Sequence, residues 1–249
     1  MDEAILPSMG QDLRVIIVGA SGGIGAAFID HLTAADQVAQ IYALSRQGVA
    51  HTSPKVANLT FDFTDEENLK AAAESLRELD PFDLIIVATG LLHGEGVSPE
   101  KSIRDLSFEG FETSFKSNVV GPAMTAKYFL PLLNRHHKSV FAALSARVGS
   151  ISDNRMGGWY AYRASKAALN MVLKTLAIEY GRRFKQAVII GLHPGTVDTG
   201  LSKPFQANVP EGKLFTPEFS TTKLLEVIDQ VGPEQSGLLF DWAGEEIPF

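Results

Sequence analysis

Tyr162 and Lys166 stand four residues apart in Trp159-Tyr160-Ala161-Tyr162-Arg163-Ala164-Ser165-Lys166, and no other Tyr-x-x-x-Lys occurs in the chain. On a helix, positions i and i+4 share a face. A tyrosine with an ordinary pKa of about 10 exchanges protons poorly at neutral pH, and a neighbouring ammonium lowers that value by stabilising phenolate. Tyr162 is then a candidate general acid and Lys166 the group that tunes it. The plainer reading is an amphipathic helix with a half-buried tyrosine and a solvated lysine.

A second constellation is Val18-Gly19-Ala20-Ser21-Gly22-Gly23-Ile24-Gly25. Its G-x-x-x-G-x-G spacing lets the chain turn sharply, approach a pyrophosphate closely, and pack a helix on a strand, with helix N-terminal amides facing the anion. Two other readings fit the same residues. The glycines serve packing alone, or Gly19 to Gly23 is a G-x-S-x-G nucleophile elbow with Ser21 as nucleophile and Asp198 and His193 as partners. Against the elbow, His193 precedes Asp198, and no earlier strand exists to build an oxyanion hole. About 20 residues beyond a glycine turn, an NAD site offers an acidic side chain to the ribose hydroxyls. Here Tyr42-Ala43-Leu44-Ser45-Arg46 occupies that place. A hydroxyl and a guanidinium bind a 2′-phosphate that a carboxylate would repel, so NADP is favoured over NAD, the bland alternative being that Arg46 is a solvated loop cation.

Such residues work only if the elements between them hold them together. Leu13 to Val18 reads as a strand, and Ile24 to Leu32 as a helix with apolar residues at helical spacing. The alternation continues with a strand Val38 to Leu44, a helix Asp65 to Leu79, a strand Leu84 to Ala88, one or two helices over Leu106 to Leu133, and a strand Ser139 to Leu144. Then come a helix from about Tyr162 to Arg183, a strand Ala187 to Leu192, a helix near Thr221 to Val231 and a short strand Leu238 to Phe240. Strands that are continuous apolar runs, alternating with helices, predict one α/β domain over residues 1–249: a doubly wound, seven-stranded parallel sheet of Rossmann type with helices on both faces. Gly195 to Phe219, rich in Pro, Lys and Phe, is longer than an ordinary loop and is expected to be a lid.

Composition narrows the function. The 249 residues include 22 Lys+Arg against 29 Asp+Glu, a formal charge of −7, and no basic cluster beyond Arg182-Arg183, which argues against nucleic acid. With no cysteine, thiolate nucleophiles, Cys-ligated zinc and iron–sulfur clusters are excluded, and no metal is expected. No apolar run approaches the ~18 residues of a membrane span, and Met1 to Gln11, with Asp2 and Glu3, does not read as a signal peptide. The expected location is the cytoplasm.

From Leu13 to Trp242 the chain resembles the short-chain dehydrogenase/reductase family. Gly19, Gly23 and Gly25 match its cofactor turn, Asp62-Phe63 its adenine contact, Gly90 the glycine after its fourth strand, and Asn118 its active-site asparagine. Tyr162 and Lys166 match the catalytic pair, and Pro194-Gly195-Thr196-Val197-Asp198-Thr199 the loop that holds the nicotinamide carboxamide. Ser145 to Ser150, Gly157 to Asn170 and Phe240 to Phe249 are similar to a carbonyl-reductase subgroup that contains the developmental C-factor. The resemblance implies NADP(H) contacts at Gly19, Ser21, Gly23, Ile24, Gly25, Arg46, Asp62, Phe63, Ala88, Gly90, Tyr162, Lys166, Pro194, Val197 and Thr199. It also implies a homodimer or homotetramer, with a small carbonyl or alcohol as substrate.

The pattern is broken where the family has its catalytic serine. Counting back from Gly149 that place is Ala146, and Ser145 lies one residue early; Ser145 remains the candidate for orienting the carbonyl, with Ser150 or a water as substitute. The family's Asn-Asn-Ala-Gly reads Val87-Ala88-Thr89-Gly90 here. His93 and His193 have no partner at ligand spacing, and Trp159, Phe205, Phe215 and Phe219 are expected to be core or lid packing that a hydrophobic substrate meets in part. The implied reaction is reduction of a small aldehyde or ketone by NADPH, with Tyr162 as general acid, Lys166 also binding the nicotinamide ribose, and Asn118 fixing a water beside Lys166. The alternatives are an NADP-binding regulatory protein of C-factor type and the Ser21 hydrolase.

Overall fold

The computed structural model describes residues 5–79, 81–94 and 97–249. Seven parallel strands form the sheet: β1 (Leu13–Val18), β2 (Val38–Ser45), β3 (Val56–Thr60), β4 (Leu84–Val87), β5 (Ser139–Leu144), β6 (Ala187–His193) and β9 (Leu239–Asp241). Their spatial order is β3-β2-β1-β4-β5-β6-β9. The chain therefore runs outward from β1 to β3, then returns to lay β4 against the other side of β1. In sheets wound this way, a crevice opens beyond the carboxyl ends of the strands at the reversal point. The segments after β1 and β4, Gly19 to Gly22 and Ala88 to Gly90, flank it.

Helices cover both faces, which explains the unbroken apolar runs of the inner strands. Along β5, Val140, Ala142 and Leu144 join one core, with Phe28, Ile29 and Leu32 of α1 (Gly23–Ala34) and Leu224, Leu225 and Ile228 of α6 (Pro217–Gln230). Phe141 and Ala143 point to the other, shared with Leu69 of α2 (Glu66–Leu76), Phe129 of α4 (Gly121–Phe129) and Leu169 and Leu173 of α5 (Tyr160–Tyr180). Among the described residues no helix is long and apolar enough to cross a membrane.

Two places differ from the sequence expectation, the edge strand and residues 195–219, while the one or two helices expected over 106–133 are found as two, with an unexpected join between them. The edge strand β3 was not among the runs named, because Val56-Ala57-Asn58-Leu59-Thr60 is only partly buried and lacks the continuous apolar character of the inner strands. The stretch 106–133 divides into α3 (Phe108–Phe115), a π turn over Lys116–Val120, and α4. Pro122 has no N–H to return to the Asn118 carbonyl, and this breaks the regular ladder there. Residues 195–219 are more ordered than a plain loop: β7 (Thr196–Val197) pairs in parallel with β8 (Leu214–Phe215), a 3-10 turn runs over Lys203–Asn208, and α6 begins at Pro217, earlier than expected. The Thr216 hydroxyl caps α6 by accepting the Phe219 N–H, and Pro217 suits a first helical position, which needs no donor.

Candidate active site

The glycine turn is built by close approach. Gly19 has φ +84°, and a Cβ there would meet Thr89 Cγ2 at 2.9 Å. A Cβ at Gly25 would lie 2.2 Å from the Gly19 carbonyl oxygen, so helix α1 rests directly on the turn backbone. Gly22, the N-cap of α1, has no side chain with which to cap it, which leaves first-turn N–H groups for an external acceptor. Ser21, Gly22 and Gly23 are exposed, Ile24 partly so. Across the crevice the Thr199 side chain lies over the turn, since a Cβ on Gly23 would meet its Cγ2 at 2.8 Å. The loop after β6 is thus placed on the turn after β1.

Polar groups at the crevice are ready for a partner. The hydroxyls of Thr89, beside Ala88, and Ser45, at the end of β2, are buried with no hydrogen-bond partner. Arg46, next to Ser45, is exposed. Asp62 accepts from the Thr64 N–H and hydroxyl, each at 2.9 Å. The Thr64 N–H chiefly holds its carboxyl below the ordinary value, and the charge of Arg46 adds to this. Phe63 packs closely on α4, where a Cβ at Gly121 would fall 2.2 Å from its ring. The orphaned hydroxyls, the uncapped α1 terminus and the glycine-rich turn together fit a phosphorylated dinucleotide.

Beyond β4 and β5 the predicted catalytic set converges. A Cβ at Gly90 would stand 3.7 Å from Lys166 Nζ, 3.8 Å from Leu201 Cδ1 and 3.9 Å from Asn118 Oδ1. Lys166, 2% exposed, donates from Nζ to the Leu144 carbonyl at 2.9 Å, and Nζ is 5.7 Å from the centre of the Tyr162 ring. Asn118 lies in the π turn, fully buried; its amide exchanges two 2.8 Å hydrogen bonds with the Leu91 main chain and donates to Ser165 Oγ at 3.1 Å. The side chain therefore pins the segment after Gly90 to α5. Pro194 accepts the Ser220 hydroxyl at 2.8 Å, and the Val197 carbonyl accepts the Ser202 hydroxyl at 2.5 Å, which shapes the loop bearing Thr199.

Electrostatics depart from the simple tuning argument. Burial pushes the Tyr162 phenol above its ordinary value and lowers Lys166 to about 8. Desolvation, not the ammonium, dominates at Tyr162. The phenol is accordingly protonated at neutral pH, and its hydroxyl has no hydrogen-bond partner among the described residues. That is the form a proton donor requires.

Ser145 has a different surrounding. Its hydroxyl donates to Asn170 Oδ1 at 2.6 Å inside the protein, on the same side as Phe141 and Ala143, four and two residues earlier. Ser150 is buried and accepts the Asp153 N–H at 3.1 Å. Neither hydroxyl is bonded to Tyr162 or Lys166. The hydrolase triad does not assemble either: Ser21 is exposed, Asp198 accepts from Gln206 at 2.8 Å, and the buried His193 Nδ1 is unpartnered.

The four aromatic residues split into two groups. Trp159 meets Tyr162 and Phe205 edge-on, at centroid distances of 6.3 and 5.2 Å, and His93 meets Phe205 at 5.6 Å while bonding the Gly200 carbonyl at 3.1 Å. This partly exposed wall stands beside the Tyr162 ring. Phe215 and Phe219 instead pack on Trp242, under Gly195. Leu201, Thr89, Asn170 and Glu100 were not singled out from sequence. No spacing signal marks them, because each acquires its contacts from a distant segment.

The family model described as short chain dehydrogenase matches residues 14–210. An uncharacterized oxidoreductase of Schizosaccharomyces pombe is 27% identical over 252 aligned residues, covering 94% of this chain and 96% of its own. C-signal of Myxococcus xanthus is 35% identical over 148 residues, 59% of this chain and 84% of its own. Among solved structures, NADPH-bound carbonyl reductase from chicken fatty liver superposes with a TM-score of 0.82 at 22% identity, covering 100% of both chains.

Proposed function

The chain belongs to the short-chain dehydrogenase family, and on that premise we propose that it is an NADP(H)-dependent reductase of small aldehydes or ketones, with Tyr162 as the proton donor. The observation that carries this reading is the placement of Tyr162 one helical turn from a buried Lys166, whose Nζ is 5.7 Å from the Tyr162 ring centre, beside the crevice of a doubly wound sheet. The uncapped first turn of α1, with Gly19, Ser21, Gly23, Ile24 and Gly25, binds the pyrophosphate; Ser45 and Arg46 take the 2′-phosphate. Asp62, Phe63, Ala88 and Gly90 line the adenosine and ribose path, and Pro194, Val197 and Thr199 close on the nicotinamide end. When bound, this cofactor supplies the hydride.

The residues do the rest. Lys166 Nζ binds a ribose hydroxyl and gives up the Leu144 carbonyl as sole partner. Tyr162 moves its hydroxyl proton to the substrate oxygen as negative charge develops there. Asn118 holds the segment after Gly90 in register, and its carbonyl, denied an N–H by Pro122, accepts a water beside Lys166. Ser145 is the weakest member, since its proton is engaged by Asn170. Residues 195–219 act as a lid, and the Trp159–Phe205–His93 wall excludes water and accepts an apolar flank of the substrate.

Trp fluorescence titration with NADPH and NADH, followed by NADPH consumption over aldehydes, ketones and diketones, tests this. NADPH preference with turnover is expected. Tyr162→Phe should lower kcat by at least about 100-fold and leave NADPH affinity within about threefold. Retained turnover in Tyr162→Phe removes the assignment. The similarity to C-signal favours one second reading, an NADP-binding protein that acts through a partner; tight NADPH binding with no turnover of any carbonyl is its signature.

A further inference from the structure

The first turn of α5 is held by a carboxylate from far along the chain. Both oxygens of Glu100 accept the Ala161 N–H, at 3.3 and 3.2 Å, and its main-chain carbonyl accepts the Trp159 N–H at 2.6 Å. Glu100 precedes Ala161 by 61 positions, in the connection between β4 and α3, and is 6% exposed. No cation lies at ion-pair distance from it among the described residues. A carboxylate buried in this way needs hydrogen bonds and a positive field, and the N-terminus of a 21-residue helix offers both.

Helix α5 needs such a partner in return. Its N-cap is Trp159, whose side chain cannot cap and whose φ is +51°, following Gly157 and Gly158 at +65° and +64°. A left-handed aromatic residue persists only where its surroundings over-determine it. The Glu100 carboxylate adds to that constraint at the Ala161 N–H, beside the bond of its main-chain carbonyl to the Trp159 N–H and those of the Arg163 guanidinium to the Gly157 and Gly158 carbonyls. The Trp159 ring so placed contacts Tyr162 and Phe205, and Tyr162 follows Ala161 directly.

We propose that Glu100 is a positioning residue for Tyr162 and Trp159: by clamping the strained entry to α5 it sets where the Tyr162 hydroxyl stands and where the indole wall faces the substrate. The catalytic part of this rests on the reductase reading above. A cap of purely structural value would lower stability without moving the site.

The test separates the two. In a Trp242→Phe background, Trp159 is the sole tryptophan emitter, because the chain has 2 tryptophans. Glu100→Ala should increase acrylamide quenching of Trp159 and accelerate hydrogen exchange of the Ala161 amide by at least about tenfold, the local opening expected when a buried cap is lost. With a carbonyl substrate, kcat should fall about 10- to 100-fold while the KM for NADPH moves less than about threefold, as misplacement of a reacting group predicts. Glu100→Gln keeps an acceptor oxygen and should restore kcat to within about threefold of wild type. If Glu100→Ala does not fold, Glu100→Asp, charged but one methylene short, must show the same losses. Unchanged Trp159 quenching and kcat with only a lower melting temperature would overturn the proposal. If the wild type turns over no carbonyl, the reductase reading fails, and the Trp159 and Ala161 measurements still decide whether Glu100 sets the geometry.

Discussion

His193 shows how a single buried group ties stability to pH. It ends β6, its Nδ1 is buried without a partner, and burial, with Arg147 adding, lowers its pKa to about 4. In the unfolded chain a histidine titrates near about 6.5. Between these values the unfolded state binds more protons than the folded one, so stability rises with pH across that window and falls on acidification from about 6.5 to about 4. Urea unfolding at a series of pH values should show this slope, and His193→Gln should flatten it while leaving the stability above pH 7 less dependent on the change. An equal slope in wild type and variant would place the acid sensitivity elsewhere. The same histidine lacks any bond to Ser21, so the alternative triad fails on geometry before pKa values matter.

At the scale of elements, the β1-turn-α1 unit and the α3-π-α4 unit determine where the site opens. Gly23 and Gly25 of the turn do different physical work. A Cβ on Gly25 meets backbone, the Gly19 oxygen at 2.2 Å and Ala20 Cα at 3.0 Å, whereas one on Gly23 meets side-chain atoms of Thr199, Cγ2 at 2.8 Å and Cβ at 3.3 Å. Backbone cannot step aside, but a side chain in the loop after β7 can. Gly25→Ala is expected to cost about 3 kcal/mol or more, or to prevent folding, by overpacking that nothing relieves. Gly23→Ala should cost under about 1 kcal/mol, since it gains helix propensity at an exposed first-turn position. Chemical denaturation of the two variants checks the contrast, and similar losses in both would contradict it. In the second unit, Pro122 and the π turn place Asn118 where its amide reaches both Leu91 and Ser165. A regular helix would carry that side chain elsewhere.

For the whole molecule, the reversal of strand order gathers segments from distant parts of the chain at one end of the sheet. A ligand that bridges them should stabilise the fold as a unit. Saturating NADPH at about 100 times its Kd adds about 2.7 kcal/mol. For a chain of this size that raises the melting temperature by roughly 5–10 °C. NADH at the same concentration should give a smaller rise, and Arg46→Ala should bring the NADPH rise close to the NADH one, because the guanidinium–phosphate fork is lost. Equal shifts for both nucleotides in the wild type would remove Arg46 and Ser45 from cofactor selection.

Periodicity and glycine placement in the sequence were sufficient for the layered parallel sheet, since strands covered on two faces must be apolar throughout and each helix must present one apolar stripe. They also marked Tyr162 and Lys166, whose i, i+4 relation is local, and the Gly19 to Gly25 turn, whose conformation is local as well. The edge strand β3 escaped because at the edge its residues are only partly buried, and Asn58 and Thr60 interrupt the apolar run. Order within residues 195–219 escaped because β7 and β8 pair across a connection longer than any local pattern. Three features belonged to tertiary structure alone: that burial raises the Tyr162 phenol, that Ser145 turns toward Asn170, and that Glu100 grips the start of α5. Each depends on which distant atoms surround a group, and desolvation and hydrogen bonding are set by those neighbours, not by the residue types along the chain.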